Sequence, residues 1–132
     1  MRTHALRLRR GDDLRLALER VTRELRLAAG CIVSCVGSLS RARLRLAGSE
    51  EVRELTGPLE IVALVGTLSS DGPHLHVALA DRTGVVFGGH LLKGSLVHTT
   101  AEIVLGELGE LRFARRRDPD TGWNELEIHP RD

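Results

Sequence analysis

Aromatic side chains and long apolar runs are both scarce in this sequence. Phe87, Phe113 and Trp123 are the only aromatic residues, so the chain lacks the stacking platforms on which single-strand nucleic-acid-binding proteins hold bases. The longest apolar stretches, such as Ile61 to Val65, are far shorter than the roughly 18 residues that a membrane-spanning helix needs. The arginine-rich start also lacks the apolar core of a signal peptide. We therefore expect a cytoplasmic protein with no membrane partner.

Neither sign of charge is in excess. The 19 basic residues nearly cancel the 18 acidic ones, which leaves a formal net charge of +1. Without a strong positive field, the whole molecule has no general attraction to nucleic acid or to anionic lipid. Net charge therefore gives DNA binding no support.

Cysteine is limited to Cys31 and Cys35, which lie four positions apart in a run rich in valine and isoleucine. That run is typical of a buried strand, where both thiols would share one face but lie too far apart for a disulfide. We expect two reduced thiols. At 132 residues with 42% hydrophobic composition, the chain can form one packed core without disulfides, so we predict a single domain over residues 1–132.

One helix is indicated near the start of the chain. Residues 3–9 alternate polar and apolar side chains, as a first strand does, until Gly11, Asp12 and Asp13 break the pattern. Either aspartate can cap a helix there, and Gly30 can close it. The apolar stripe of this predicted helix is formed by Leu14, Ala17, Leu18, Val21, Leu25 and Ala28.

Short β-rich runs, separated by glycine, fill the rest of the chain. They cover residues 31–36, 41–47, 59–68, 74–80, 85–89, 95–105 and 111–116, and the alternation of residues 123–128 suggests a last edge strand. Since no βα unit repeats, these runs do not favour a doubly wound fold. We predict an α+β fold in which one N-terminal helix packs on a largely antiparallel, barrel-like curled sheet of about seven strands.

Two histidines share one face of the predicted strand over residues 74–80. Strand alternation sends His74 and His76 to one side and Leu75 and Val77 to the other. The next segment is a hairpin signal, and the length of its loop decides where a third histidine, His90, lies.

Two loop lengths are open for this hairpin. In a three-residue loop over residues 82–84, with Gly84 in the left-handed position, His76 lies opposite His90 and all three rings share a face. A two-residue loop would shift the register by one and turn His90 to the other side.

Three imidazoles on one face would form a metal site. His74, His76 and His90 are a common ligand set for zinc of the catalytic type, whose fourth position stays open to water or substrate. The alternative is that His74 and His76 are polar residues on a solvent-facing side of the sheet. Small residues leave room for a pocket around the three rings: Ala78, Gly88 and Gly89.

Several motifs resemble, in their order and spacing, the bacterial form of the plant and prokaryote conserved domain. They extend over nearly the whole chain: Gly-Asp-Asp-Leu at 11–14, Val-Gly-Ser-Leu at 36–39, the run 57–68, Asp-Gly-Pro-His-Leu-His at 71–76, Gly-Gly-His-Leu at 88–91, Thr-Ala-Glu-Ile at 100–103 and Asp-Thr-Gly-Trp-Asn-Glu-Leu at 120–126.

The resemblance implies a compact α+β fold with an antiparallel sheet, assembly as a homotrimer, and a metal site at His74, His76 and His90. The fold also looks similar to that of acetolactate decarboxylase, a zinc enzyme with an equivalent three-histidine pattern, although fold does not fix chemistry. Bacterial members often carry a DNA-binding label because the plant domain follows a separate AT-hook. The 132 residues of this chain contain no Arg-Gly-Arg-Pro hook.

Two functions follow as hypotheses. The first is a trimer that binds zinc or another divalent metal, with a small-molecule ligand at the metal. As an enzyme it would use Glu60 or Glu102 as general base and Arg43 to hold an anionic substrate. The plainer interpretation of Glu60 and Arg43 is a charged strand position that faces solvent. The second hypothesis is DNA binding or regulation through basic clusters at residues 7–10, 41–45 and 115–117.

Overall fold

The computed structural model describes all 132 residues. They form one helix, α1 (Leu14–Glu24), and eight strands: β1 (Arg2–Arg9), β2 (Gly30–Arg45), β3 (Val52–Leu68), β4 (His74–Ala80), β5 (Val86–Leu91), β6 (Leu96–Glu107), β7 (Leu111–Arg117) and β8 (Asn124–Pro130). Every strand pairing is antiparallel. The predicted α+β class, with one N-terminal helix on a largely antiparallel sheet, is confirmed. No helix has the length and apolarity needed to cross a membrane.

Asp13 begins the helix. Its carboxylate accepts a hydrogen bond from the backbone N–H of Leu16 at 3.0 Å and another from that of Gly94 at 2.7 Å, so the cap also ties the helix to the loop before β6. The helix ends sooner than the sequence predicts, because Arg26 adopts the left-handed conformation with φ 52°. Gly30 already belongs to β2, so the predicted closure at this glycine is wrong.

The main sheet curls until its far edge meets its middle. Its strand order is β1-β6-β2-β3-β4-β5, and the end of β2 also pairs with β5. At this junction Leu44 lies opposite Leu91, and Arg45 lies opposite His90. The predicted curl of the sheet is therefore confirmed, and its closure places residues of β2 beside the histidines of the β4–β5 hairpin.

Strand β2 joins two runs that the sequence separates, residues 31–36 and 41–47. Gly37 lies at the junction, where β6 approaches so closely that a Cβ atom would overlap the carbonyl oxygen of Thr100. This glycine permits a close strand contact and not a chain reversal. Residues 41–45 consequently continue along the same strand as Cys31 and Cys35.

The hydrophobic core lies between the helix and the inner face of the curled sheet, where 20 buried residues form one cluster. Burying each large aliphatic side chain contributes about 1.5–3 kcal/mol. On β4, Leu75, Val77 and Leu79 belong to this core, whereas His74 and His76 are exposed. The core therefore fixes which face of β4 carries the histidines.

Strands β7 and β8 form a separate two-stranded sheet. The backbone N–H of Phe113 donates to the carbonyl of Ala28 at 2.9 Å, and the Phe113 ring is buried. The backbone N–H of Arg115 donates to the Asp71 carboxylate at 2.9 Å. These contacts hold the hairpin against the turn before β4. The last strand predicted over residues 123–128 is confirmed as β8.

Both cysteines are free thiols on β2, as predicted. Burial raises the pKa of Cys35 to about 11. Since the thiolate is the reactive form, this thiol stays protonated and inert near neutral pH.

Candidate metal centre

The hairpin between β4 and β5 sets the register of the histidines. Its loop has the three-residue form: the N–H of Asp81 donates to the carbonyl of Val85 at 2.9 Å, and Gly84 is left-handed with φ 82°. His76 consequently lies directly opposite His90. The three-residue alternative is confirmed, and the two-residue loop is excluded.

Asp81 stabilises this loop through its carboxylate. The carboxylate accepts hydrogen bonds from the hydroxyl of Thr83 at 2.7 Å, from its backbone N–H at 2.8 Å and from the N–H of Val85 at 3.1 Å. These bonds, that of the Thr83 hydroxyl first, hold the pKa of Asp81 below its usual value. The carboxylate is therefore ionised at neutral pH and keeps the loop in the register that aligns the histidines.

The imidazoles of His74, His76 and His90 converge on the outer face of the hairpin. Ring centroids lie 4.9 Å apart for His74 and His76, 4.5 Å for His76 and His90, and 5.7 Å for His74 and His90. One ligand nitrogen from each ring lies within 4.8 Å of the others. In a tetrahedral zinc site with bonds of about 2.0–2.1 Å, ligand nitrogens are roughly 3.4 Å apart, so small side-chain rotations would bring these atoms to one ion. The residues fit a metal, and the three histidines could hold one.

Two of these rings favour the neutral form. Partial burial and then the Arg115 guanidinium lower the pKa of His74, and partial burial and then the Arg45 guanidinium lower the pKa of His90. A lower pKa means that the neutral imidazole persists to more acidic pH. At neutral pH both rings therefore present the lone pair that a metal needs.

Strand pairing explains why two arginines flank the three histidines. Arg45 lies opposite His90 at the junction of β2 and β5. Thr67 lies opposite His74 on β3, and its hydroxyl accepts a hydrogen bond from the Arg115 guanidinium at 2.9 Å. Residues from three distant parts of the chain thus meet at one place.

A cleft of about 690 Å³ opens beside the histidines, with His74 and His90 in its wall. A shallower hollow of about 110 Å³ lies on the other side, against Val65 and His76. The histidines therefore separate the two spaces, and only the larger has room for a ligand of moderate size. Its other charged or aromatic lining residues are Arg15, Arg45, Glu50, Arg115, Trp123 and Glu125.

Not all of the small residues named from the sequence make room on the histidine face. Ala78 and Gly88 pair with each other on that face, whereas Gly89 pairs with Val77 and faces inward. A Cβ atom on Gly89 would lie 2.8 Å from the carbonyl oxygen of Arg45. The prediction that Gly89 opens a pocket is therefore wrong, because the space it leaves is filled by β2.

The structure does not bring the predicted general bases to the histidines. Glu60 lies on β3, opposite Ala80 of β4. Ala80 is four residues along β4 from His76, a distance of roughly 13 Å. Glu102 lies on β6, which pairs with neither β4 nor β5. Both carboxylates are exposed, and neither lines the cleft. Their catalytic role stays a prediction, without contact to the histidines.

Arg43 lies outside the cleft as well. Its guanidinium forms an ion pair with Glu54 at 3.4 Å and is 45% exposed, in keeping with the plainer interpretation of a solvent-facing strand position. Arg45, one pleat further along β2, reaches the cleft instead. The sequence pattern does not distinguish the two, because the distinction depends on where β5 meets β2.

The C-terminal hairpin contributes cleft residues that no sequence pattern places there. From the sequence, Arg115 is predicted only as part of a basic cluster. Trp123 and Glu125 belong to the motif at 120–126, which is one of those that carry the family resemblance. The motif indicates that these residues matter, but it does not indicate that they line the cleft. Their position follows from the β7–β8 hairpin, which packs against the end of β3 and the turn before β4.

Several solved structures share this fold. A hypothetical protein from Salmonella cholerae-suis is 42% identical, with a TM-score of 0.96 over 98% of this chain and 94% of that one. A metal-containing protein from Archaeoglobus fulgidus is 31% identical, with a TM-score of 0.80 over 96% and 94%. A Staphylococcus aureus protein similar to alpha-acetolactate decarboxylase is 14% identical, with a TM-score of 0.53 over 80% and 52%. The last match confirms the expected likeness of fold and nothing more.

Related sequences identify the family. The bifunctional protein GlmU of Synechococcus sp. (strain JA-3-3Ab) is 52% identical over 128 residues, which cover 97% of this chain and 21% of that protein. The chain thus spans about a fifth of the length of the curated relatives it matches. The family model of the Plants and Prokaryotes Conserved (PCC) domain matches residues 1–109. As the motifs predict, this chain belongs to the Plants and Prokaryotes Conserved domain family.

Proposed function

We propose that this protein binds a divalent metal ion, zinc, through His74, His76 and His90. The observation that carries the proposal is the convergence of three imidazoles, with ligand atoms within 4.8 Å of one another, on one face of a hairpin. The 31% identical relative from Archaeoglobus fulgidus is a metal-containing protein, which agrees with this proposal.

Zinc suits this ligand set because it accepts neutral imidazoles in tetrahedral geometry. No thiol or carboxylate joins the group of three, so one coordination position remains for a ligand. A zinc ion bound in this way would supply Lewis acidity to an oxygen of that ligand. The fold does not need the ion, because the 20-residue core contains none of the three histidines.

Elemental analysis of protein purified without a histidine tag tests this proposal. We expect about one zinc ion per chain after incubation with zinc and dialysis. Anomalous scattering at the zinc edge would then place the ion between the three rings. Protein that retains no zinc, or whose ion lies elsewhere, would contradict the proposal.

If the site is catalytic, its proton-transfer group should come from the cleft. Glu125 lines the cleft with His74, and its charge acts to raise the pKa of this histidine, against the larger effects that lower it. Because Glu125 and His74 line the same cleft, Glu125 is the carboxylate that we propose for proton exchange with a ligand bound there. Glu60 and Glu102 lack this placement.

Zinc retention should fall in acid. Protons compete with the ion for the imidazole nitrogens, and the lowered pKa values of His74 and His90 move this competition below the ordinary histidine value of about 6.5. We expect zinc content to stay constant between about pH 8 and 7 and to fall below about pH 6. Zinc measured after dialysis at each pH gives the curve. A loss that is complete at pH 7 would contradict binding by neutral imidazoles.

A homotrimer is the second part of the proposal. Strand β5 pairs with β2 only through His90 and Leu91, so the edge formed by residues 86–88 is free to pair with another chain. On this edge, Val86 is 53% exposed and Phe87 is 39% exposed. An apolar surface next to a free strand edge supports a subunit contact there.

Light scattering tests the assembly. We expect about three times the mass of one chain, and we expect Val86→Asp to give monomers because a buried, unpaired carboxylate would oppose the contact. Val33→Asp is a matched control, since Val33 is 49% exposed but lies on β2 away from this edge. A wild-type monomer at micromolar concentration would remove the trimer from the proposal.

DNA binding is the competing proposal, since similar structures from Bacteroides thetaiotaomicron and Ralstonia eutropha carry a provisional DNA-binding label. Part of the basic charge in the clusters is already paired: Arg41 and Arg43 contact Glu54 at 2.9 and 3.4 Å, and Arg116 contacts Glu127 at 3.3 Å. A DNA titration at two salt concentrations separates the proposals, because phosphate contacts require a steep loss of affinity with salt.

A further inference from the structure

Two arginines in the cleft beside the histidines have no acidic partner. Arg45 and Arg115 line the cleft together with His74 and His90, and neither guanidinium takes part in any of the ion pairs of the chain. An unpaired guanidinium that faces a cavity presents a planar set of donors matched to a carboxylate or a phosphate.

Arg115 is held in place but is incompletely bonded. Its Nη2 donates to the Thr67 hydroxyl at 2.9 Å, its Nη1 reaches the carbonyl of Asn124 at 3.5 Å, and its buried Nε has no acceptor. The Asp71 carboxylate bonds to the backbone N–H of Arg115 and not to its guanidinium. A half-buried charge without a counter-ion is costly, and an anion in the cleft would offset part of that cost.

Arg45 enters the cleft from β2. Its guanidinium lies over the ring of Trp123, 5.5 Å from the ring centroid. Because stacking uses the flat face of the guanidinium, the N–H groups around its rim remain available to a ligand. Arg45 also lies opposite His90, so an anion bound to it would be next to the metal site.

Arg15, the third arginine of the cleft, has a different role. Its Nε pairs with Glu19 at 3.2 Å, and its Nη1 and Nη2 donate to the carbonyls of Leu91 and Pro73 at 3.0 and 3.3 Å. It therefore ties the helix to β5 and to the residue before β4. This arginine shapes the wall, and its charge is already neutralised.

The balance of charge makes anion binding depend on the metal. Glu50 and Glu125 also line the cleft; neither forms an ion pair with Arg45 or Arg115, but their two charges balance the total charge of the two arginines. A divalent ion on the histidines would therefore leave the cleft with an excess of positive charge. Its volume of about 690 Å³ lies in the range of small-molecule sites.

We infer that this cleft binds a small organic acid, whose carboxylate or phosphate group pairs with Arg45 and Arg115 beside the metal. The inference rests on the proposed metal site and names the class of ligand for it. Arg115 and Trp123 lie beyond residues 1–109, which the family model matches. The C-terminal hairpin would thus supply half of the anion contact.

Calorimetric titration of the zinc-loaded protein with L-malate, glycerol 3-phosphate and uncharged glycerol tests the inference. We expect one or both acids to bind and glycerol not to bind. Arg45→Gln and Arg115→Gln should each weaken binding of the acid by roughly tenfold or more, with zinc content unchanged. Arg116→Gln is the matched control, because Arg116 is the next residue on β7 but is 73% exposed and pairs with Glu127.

Thermal unfolding and zinc content are measured for each variant beside the titration. Arg115→Gln could unfold because it loses the bond to Thr67. In that case Arg45→Gln still tests the inference, since Arg45 makes no ion pair whose loss would destabilise the fold. The zinc-free His76→Ala variant should bind the same acid at least tenfold more weakly than the loaded wild type. The acid that binds identifies the acidic group as carboxylate or phosphate.

The outcomes separate the inference from the metal proposal. A zinc-loaded protein that binds neither acid, or that binds one equally well with glutamine at positions 45 and 115, overturns the inference and leaves the metal site standing. A wild-type protein that holds no zinc overturns the metal proposal, and the inference falls with it. Weakening by both cleft substitutions but not by Arg116→Gln supports the inference.

Discussion

Replacing His76 with alanine should abolish stoichiometric zinc binding and leave the fold intact. The two remaining imidazoles are too few protein ligands to hold zinc tightly, so zinc after dialysis should fall from about one ion per chain to a trace. The His76 side chain is exposed between Val65 and His90, so its removal leaves no cavity in the core. We expect the free energy of unfolding of the metal-free protein to change by less than about 0.5 kcal/mol.

Elemental analysis and urea unfolding measure these two effects. His90→Ala should behave in the same way, whereas His98→Ala is the control, because His98 lies on β6 outside the group of three. Unchanged zinc in both His76→Ala and His90→Ala would show that the ion binds elsewhere. A loss of tertiary structure together with the zinc would instead identify a structural site.

The histidine geometry could be predicted because it depends on local chemistry. Alternation along residues 74–80 fixes the face of His74 and His76, and the alternative for His90 reduces to the length of one loop. Gly84 can take the left-handed conformation, and Asp81 can accept hydrogen bonds from the residues that follow it. Both features lie within a few positions of one another, so the sequence contains the information that sets the register.

The contacts of Arg45 and Arg115 could not be predicted in this way, because they depend on the packing of segments that are distant in the sequence. Arg43 and Arg45 both point outward from β2, yet only Arg45 meets His90, since β5 reaches β2 at that position. Arg115 reaches Thr67 only after the C-terminal hairpin has packed against the end of β3 and the turn that follows it. No pattern within a strand specifies either contact.

The end of the helix could not be predicted from the sequence for a related reason. An apolar stripe continues in the sequence as far as Ala28, so helical spacing alone predicts a longer helix. In the structure Arg26 turns the chain after Leu25, and Leu27 is buried with 2% of its surface exposed. Packing of Leu27 therefore outweighs both the continued spacing and the cost of a left-handed arginine.

Closure of the sheet depends on Gly89, so a substitution at this position should change both the free energy of unfolding and the position of His90. A Cβ atom at this position would lie 2.8 Å from the carbonyl oxygen of Arg45 and 3.4 Å from the Cβ of Leu44. The first contact involves backbone, so a side-chain rotation cannot relieve it. Any larger residue must therefore push β5 away from β2, and it is β5 that carries His90 next to Arg45.

Gly89→Val should lower the free energy of unfolding by about 3 kcal/mol and should also reduce zinc retention, because His90 moves away from His74 and His76.

Two controls separate these effects. Gly109→Val should change little, since a Cβ atom at Gly109 has no neighbour within 4 Å. Leu105→Ala removes a side chain that is fully buried on β6, which should cost about 2–5 kcal/mol yet leave zinc bound, because the β2–β5 junction is untouched. Urea unfolding and zinc content of the folded variants measure both quantities. If Gly89→Val and Leu105→Ala are equally destabilised and retain zinc equally well, the closure of β5 onto β2 does not position His90.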